Sequence, residues 1–98
     1  MLTHIVLFRR RSGVAREPDF ERTLVRQMRD LKARIKGVHA WTLSANELPQ
    51  PISWDYVLQA EFSDLNALDA FLANPAYLEL AVNLRTYFDL AACYFTRL

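Results

Sequence analysis

The stretch WDYVLQAEFSDLNALDAFLANPAY, residues 54–77, decides the fold of this chain. Its first part alternates between an apolar and a more polar face, and this two-residue period predicts a β-strand. Ser63 or Asp64 then offers a side-chain oxygen that can cap a helix, and leucines follow at helical spacing. Asn74-Pro75 ends that helix and begins a second one, because proline is tolerated in the first turn of a helix. We therefore expect a strand and two helical segments that hold whatever pocket the protein has.

The flanking segments supply the remaining elements. Residues 2–8 are apolar on both faces, which predicts a strand that is covered on both sides. A long helix opens at residues 17–19 and ends at Gly37, and its apolar stripe of Met, Leu and aromatic side chains is typical of a core-facing helix. Residues 38–46 alternate as a second strand, and residues 89–97 are a β-rich run that is apolar on both faces in its middle. The predicted order is β-α-β-β-α(α)-β.

That order is typical of the α+β class, in a ferredoxin-like split β-α-β-β-α-β arrangement that occupies residues 1–98 as a single domain. It predicts a four-stranded antiparallel sheet with the helices on one face, because right-handed crossovers place them on the same side. The other face is then bare, and the residues expected on it are Thr3, Ile5, Leu7, Ala91, Cys93 and Phe95, or their alternates. A second copy packed sheet against sheet would cover them, so we predict a two-fold homodimer.

Composition is consistent with a homodimer and excludes several other partners. Of the 98 residues, 52% are hydrophobic, which is more than a small single domain can hide. A formal net charge of +1 gives no general attraction to nucleic acid or to anionic membranes. No apolar segment approaches the roughly 20 residues that span a bilayer. The single cysteine cannot form an intramolecular disulfide and no signal-peptide pattern is visible, so we expect a cytoplasmic protein.

Several motifs, taken together, resemble the stress-responsive A/B barrel (Dabb) domain family. They are HIVLF at residues 4–8, Gly37-Val38 with Trp41 and Asn46, Asp55-Tyr56 with Glu61-Phe62, and residues 64–77 ending in Asn-Pro-Ala-Tyr. The similarity covers nearly the whole chain. It implies a dimeric α/β barrel with a cleft between each sheet and its own helices. Members of the family include stress-associated proteins of unclear activity and plant polyketide cyclases that work without metal or cofactor.

The resemblance also implies positions for a site. The cyclases use a histidine on the first strand, a histidine on the central strand, a histidine that closes a His-Pro-Ala-His segment, and a tyrosine that partners this last histidine. The first position falls on His4, which matches, whereas the other three fall on Tyr56, Tyr77 and Phe71. One of the four polar positions is thus retained.

Strand parity places His4 and Tyr56 on faces that can both turn toward the helices, where they could converge with Tyr77 on one apolar cleft. The predicted ligand pocket consists of His4, Val6, Phe8, Tyr56, Phe71, Tyr77 and Phe88. Two hypotheses follow: a dimer that binds a small hydrophobic or aromatic molecule, or a cofactor-free enzyme, cyclase-like or monooxygenase-like. In the enzyme, His4 is the general base and Tyr77 the second candidate catalytic residue, holding a developing oxyanion. The alternative is that these side chains are ordinary core residues with fixed partners, in a scaffold without chemistry.

Other polar residues carry weaker predictions. Two histidines and no carboxylate cluster around His4 predict no metal site, and no cofactor is expected. Cys93 is expected to be a buried, unreactive thiol. The arginines at 9–11 are either a solvated turn or an anion contact. Glu61 lies on the face expected at the dimer interface and needs a partner across it or a place near a strand end. The candidate partners for Glu61 are Arg9 and Arg97.

Overall fold

The computed structural model describes residues 1–96. Strands and helices follow one another in the predicted order. The strands are β1 (Leu2–Arg10), β2 (Val38–Ala45), β3 (Tyr56–Phe62) and β4 (Phe88–Thr96). The helices are α1 (Pro18–Asp30), α2 (Leu65–Leu72) and α3 (Pro75–Tyr87), and a 3₁₀ turn at Leu31–Arg34 follows α1. The last strand was predicted to reach Arg97, which lies outside the described residues.

The strands form one antiparallel sheet in the order β2-β3-β1-β4. β1 lies between β3 and β4, so His4 is opposite Ala60 on one side and opposite Tyr94 on the other. Directly opposite residues share a face of the sheet, and these three side chains therefore point the same way. The predicted α+β class and ferredoxin-like arrangement are confirmed.

The core fills the layer between the inner face of the sheet and the helices. Its buried side chains include Val6, Phe8, Leu24, Met28, Leu58, Phe62, Leu68, Phe71, Leu84 and Phe88. The alternation along β1 and β3 puts the expected residues inside, which confirms the predicted strand parity. Among residues 1–96 the buried polar or charged side chains are His4 and Glu21. A buried polar group requires partners, and these two residues are therefore the natural starting points for a site.

The first helix is shorter than its apolar stripe suggests. α1 ends at Asp30, and the chain tightens into the 3₁₀ turn, a common ending for an α-helix. Gly37 has a φ of +74°, the left-handed conformation predicted for it. A Cβ on Gly37 would lie 2.7 Å from the Cβ of Ala67, so the glycine also permits the close approach of α2.

Side-chain caps fix where α2 and α3 begin. Ser63 and Asp64 are the two predicted caps for α2, and Asp64 is the cap. Its side chain accepts a hydrogen bond from the N–H of Ala67 at 2.9 Å. Asn74 accepts from the N–H groups of Ala76 and Tyr77 at 2.9 and 3.3 Å, and donates to the carbonyl oxygen of Arg34 at 3.1 Å. Asn74 thereby sets the position of Tyr77. In the part of the chain that the structure describes, no helix is long and apolar enough to cross a membrane.

Candidate functional site

His4 is enclosed at the centre of the inner face of the sheet, with 1% of its surface exposed. Its Nδ1 atom donates to the carbonyl oxygen of Cys93 at 3.4 Å, which leaves Nε2 as the unprotonated nitrogen of a neutral ring. Among residues 1–96, the bond to Cys93 is the hydrogen bond that the ring makes. Burial lowers the pKa of His4 below its ordinary value, and the bond to Cys93 opposes this only in part. The imidazole is therefore neutral at pH 7.

Aromatic rings surround this imidazole. The ring centroids of Phe62 and Phe71 lie 6.3 and 6.0 Å from that of His4, on the buried side. Tyr94 stacks on His4 from the other side, with centroids 4.6 Å apart and planes that differ by 6°. We call His4, Phe62, Phe71, Tyr77 and Tyr94 the His4 cluster.

Tyr77 joins the cluster through Phe71, since the centroids of these two rings are 4.5 Å apart. Burial raises the pKa of Tyr77, Arg85 opposes the shift and Tyr94 adds to it. The Tyr77 hydroxyl therefore stays protonated at neutral pH and can donate a hydrogen bond. His4, Phe71 and Tyr77, predicted to lie together, are brought together here.

The other predicted pocket residues lie elsewhere. Tyr56 is paired with Phe8, four residues along β1 from His4, a separation of about 13 Å at roughly 3.3 Å per residue. Phe88 makes edge contacts with both of these rings, at centroid distances of 5.8 and 5.9 Å. Val6 lies between the two groups and belongs to the core. The structure therefore divides the predicted single pocket into the His4 cluster and a separate group around Tyr56.

The layer between sheet and helices is filled by these side chains. A cavity of ≈ 10 Å³ remains near Tyr56, lined by Phe8, Val25, Leu43, Tyr56, Leu84 and Phe88. That volume is about the minimum that one water molecule requires. A ligand beside His4 would consequently need one of the surrounding rings to move.

The second buried polar residue, Glu21, is the centre of a network that sequence reasoning missed. The Nε and Nη2 atoms of Arg10 both donate to its carboxylate, Nη2 at 2.7 Å. The hydroxyls of Tyr56 and Tyr87 donate to it as well, Tyr87 at 2.9 Å. Arg10 further pairs with Asp55 through Nη1 at 3.0 Å. This Glu21 network ties α1 to β1, β3 and the end of α3.

The network sets the charge state of its members. Burial by itself would raise the pKa of Glu21, but the hydrogen bonds from Arg10, Tyr56 and Tyr87 outweigh it and lower the pKa to about 2. Burial, with the adjacent carboxylate, raises the pKa of Tyr56 to about 12. One signal could have revealed Glu21: it lies three residues before Leu24 and seven before Met28, on the apolar stripe of α1. The Tyr56 hydroxyl is thus committed to Glu21 and is directed away from His4.

Of the arginines at 9–11, predicted as a solvated turn or an anion contact, Arg9 and Arg10 belong to β1 rather than to a turn. Arg9 lies over the ring of Trp54, with its guanidinium carbon 4.5 Å from the centroid, and pairs with Asp89 at 3.5 Å. Arg10 belongs to the Glu21 network, and Arg11 donates to the carbonyl oxygen of Arg85 at 2.9 Å. All three cations are engaged within the protomer. Within the protomer, Arg9 therefore pairs with Asp89; Glu61 lies one residue before the end of β3, and Arg97 lies outside the described residues.

The outer face of the sheet carries two open grooves of ≈ 380 and ≈ 390 Å³. The first is lined in part by Thr3, Ile5, Gln59, Glu61 and Phe95, and the second by Leu7, Trp54 and Val57.

Cys93 is exposed on this face in the single chain, which corrects the expectation of a buried thiol and has a plain cause. Cys93 is paired with Ile5 and shares its outward direction, and nothing within one protomer covers that side. Within residues 1–96, no three His, Cys, Asp or Glu side chains are placed to hold a metal ion.

Known proteins share both the sequence pattern and the fold. The family model for the stress responsive A/B barrel domain matches residues 2–94. An uncharacterised protein of Streptomyces coelicolor is 30% identical over 77 residues, which is 79% of this chain and 79% of that one. A dimeric ferredoxin-like protein of unknown function from Thermobifida fusca is 20% identical with a TM-score of 0.83, covering 98% of this chain and 90% of that one.

An enzyme is also among the similar structures. The cofactor-independent oxygenase SnoaB of Streptomyces nogalater is 25% identical to this chain, with a TM-score of 0.72. The alignment covers 98% of this chain and 91% of SnoaB. The same backbone arrangement thus occurs in a protein with chemistry and in one without an assigned function.

Proposed function

This chain belongs to the stress-responsive A/B barrel domain family, and from that premise we propose that it is a homodimer that binds a small hydrophobic or aromatic molecule between sheet and helices. The observation that carries the proposal is the state of His4. A neutral imidazole, bonded through Nδ1 to the carbonyl oxygen of Cys93, is held among aromatic rings. An apolar wall with one or two directed polar groups is the usual form of a small-ligand site.

The contacts within the proposed site follow from the distances. His4 supplies the hydrogen-bond acceptor, Phe71 the apolar wall and Tyr77 a hydroxyl donor on the far side of Phe71. Tyr56 is about 13 Å further along the sheet at roughly 3.3 Å per residue and is bonded to Glu21, so one small ligand contacts His4 and leaves Tyr56 untouched. Because the layer is filled, a ligand has to take the place of one side chain, and the space freed in this way fits a single aromatic ring.

Ligand binding is tested with the dimer and a set of phenolic and polyketide-like compounds, by thermal shift and by NMR of the histidine rings. We expect saturable binding that perturbs the His4 ring and weakens about tenfold or more in His4→Ala, because a hydrogen bond in a dry site is lost. His39→Ala is the matched control, since His39 is exposed and bonded to Ser63 at 2.6 Å. Equal binding by both variants, or no binding to the native protein, would count against the site.

A second candidate function is cofactor-free catalysis with His4 as general base. It is favoured by one specific feature, an imidazole on the first strand that burial keeps neutral, and by the similarity to SnoaB. Compounds that bind would be incubated aerobically with the protein, and oxygen uptake and products measured. Because the pKa of His4 is lowered, activity that requires its neutral form would persist below pH 6.5 and disappear only in more acidic solution.

The proposed dimer packs the outer faces of two sheets against each other. The grooves and the apolar side chains of that face support this arrangement, and so does the dimeric state of the Thermobifida fusca protein. Ile5→Glu is expected to raise the dissociation constant by about 100-fold or more, since each copy would bury an unpaired carboxylate.

Light scattering across a concentration series measures this effect. Val82→Glu is the control, because it places the same charge on an exposed aliphatic residue of α3, on the helical side. A native protein of monomeric mass at micromolar concentration, or an Ile5→Glu variant that stays dimeric, would contradict the sheet-to-sheet arrangement.

A further inference from the structure

The enclosure of His4 is unequal on its two sides. Phe62 and Phe71, on the inner side, are almost completely buried and cannot leave without opening the core. Tyr94, on the β4 side of His4, is 49% exposed although its ring lies flat on the imidazole. Of the three rings that contact His4, Tyr94 is therefore the one that solvent reaches and that packing holds least.

The position of Tyr94 in the fold lets its ring move alone. β4 is an edge strand of the sheet, so no further strand of the protomer lies beyond it. Exposed side chains change rotamer within picoseconds to nanoseconds, without displacement of the backbone. His4 is held by the backbone carbonyl oxygen of Cys93 and not by the Tyr94 ring. The imidazole therefore keeps its orientation when the ring departs.

We propose that Tyr94 is a displaceable cover, and that its phenol ring occupies the place that a planar phenolic ligand takes on His4. This inference rests on the proposed function and adds to it the ligand class, a phenol, and the entry route, the β4 edge beside α3. The slot has a stacking surface in the neutral imidazole and a buried wall in Phe71. Parallel stacking of two neutral rings is a favourable aromatic arrangement, and a ligand ring would reproduce it.

Tyr77 offers a second polar contact, to the hydroxyl of the ligand. Tyr77 packs on Phe71 with ring centroids 4.5 Å apart, and the neighbouring Tyr94 adds to the rise in the pKa of Tyr77. A ligand that takes the place of the Tyr94 ring would direct its own hydroxyl toward the same neighbour. Tyr77 then favours a phenol over an unsubstituted ring, because its hydroxyl can form a hydrogen bond with a ligand hydroxyl and none with a ring C–H.

The experiment is chemical labelling of histidine by diethyl pyrocarbonate, followed by mass spectrometry of the peptides, with and without p-cresol. p-Cresol is the tyrosine side chain without its backbone. Native protein is compared with Tyr94→Ala and Tyr94→Val, the latter keeping a β-branched residue in the strand. Tyr94→Phe retains the ring, and Phe95→Ala is the matched control. Phe95 is the next residue on β4, is 46% exposed and points to the opposite face.

We expect His4 to be labelled about tenfold faster in Tyr94→Ala and Tyr94→Val than in the native protein, because the reagent needs the uncovered state. Tyr94→Phe and Phe95→Ala should label at the native rate. Millimolar p-cresol should restore slow labelling of His4 in the two ring-deleted variants, as a cognate molecule fills a space of its own shape. The exposed His39 should label equally throughout and serves as the internal standard.

The results separate this inference from the proposed function. Native rates of His4 labelling in folded Tyr94→Ala and Tyr94→Val overturn the cover, even if the native protein binds a ligand elsewhere between sheet and helices. Fast labelling that p-cresol does not slow overturns the phenol slot. Fast labelling of His4 with protection by p-cresol supports the inference. If, in addition, the native protein binds none of the screened compounds, the proposed function fails while the inference about Tyr94 stands.

Discussion

Replacement of Glu21 by alanine is expected to lower the free energy of unfolding by about 3 to 5 kcal/mol, the usual cost of removing one partner from a buried ion pair. Glu21 is 5% exposed and accepts hydrogen bonds from Arg10, Tyr56 and Tyr87. Its removal leaves two hydroxyls without their acceptor and takes from Arg10 the partner of Nε and Nη2, while Nη1 keeps Asp55. The expected result is a large loss of stability from a residue that touches no proposed ligand.

Urea unfolding at one fixed protein concentration measures this loss, since the stability of a dimer depends on concentration. Glu79→Ala is the control, because Glu79 is an exposed glutamate on α3 and should change stability by no more than about 0.5 kcal/mol. Tyr56→Phe and Tyr87→Phe each remove one hydrogen bond and should cost about 1 kcal/mol. A Glu21→Ala variant as stable as Glu79→Ala would show that the network contributes nothing.

The same carboxylate makes stability depend on pH in a defined window. The pKa of Glu21 is about 2 in the folded protein, against an ordinary value of 4.5. A lowered pKa stabilises the fold above the unfolded value, so this contribution is complete above about pH 4.5 and is lost as the pH falls toward 2. The loss amounts to about 3 kcal/mol, from roughly 1.4 kcal/mol per unit of pKa. Glu21→Gln should show a flatter stability curve over this acidic range.

The second large effect is expected for Phe71→Ala, at about 3 to 5 kcal/mol of lost stability. The Phe71 ring is 1% exposed and contacts the rings of His4, Trp41, Phe62 and Tyr77. Truncation removes the contacts of a whole ring and leaves a void that rigid aromatic neighbours cannot close. The void borders His4, so the variant is also expected to bind benzene or p-cresol more tightly than the native protein does.

Urea unfolding and a thermal-shift titration with p-cresol together test this expectation. The control is Leu65→Ala, on the same helix but largely exposed, which should change stability by about 0.5 kcal/mol or less and leave p-cresol binding as it is. If Phe71→Ala were as stable as the control, the ring would not be a structural wall of the site, and the assignment of the ligand contacts would have to change.

The Glu21 network and the His4 cluster lie at opposite ends of the layer between sheet and helices. The Glu21 network fixes α1, β1, β3 and the end of α3 against one another at one end of the inner layer. The His4 cluster lies at the other end, where aromatic packing replaces charge pairing and a half-exposed ring closes the layer. One end of the layer is therefore held by strong directional bonds, and the end with the His4 imidazole is held by aromatic packing.

The sequence by itself determined the fold of this protein. Two-residue and helical periodicities are local properties of the chain, and they predict the strand faces and the helices without any tertiary contact. The breaks were equally local: Asp64 and Asn74 cap helices, and Gly37 takes the left-handed conformation. His4 was placed on the inner face for the same reason, because its neighbours at two-residue spacing are apolar.

The tertiary structure decided which side chains meet, because periodicity gives a direction and not a distance. Tyr56 shares the inner face with His4 as predicted, yet packing places it at the other end of the sheet, bonded to Glu21. No local pattern pairs Glu21 with a partner, whereas the fold surrounds it with an arginine and two tyrosines from three other elements. Tyr94 covers His4 only because β4 pairs beside β1, a long-range register that no local pattern encodes.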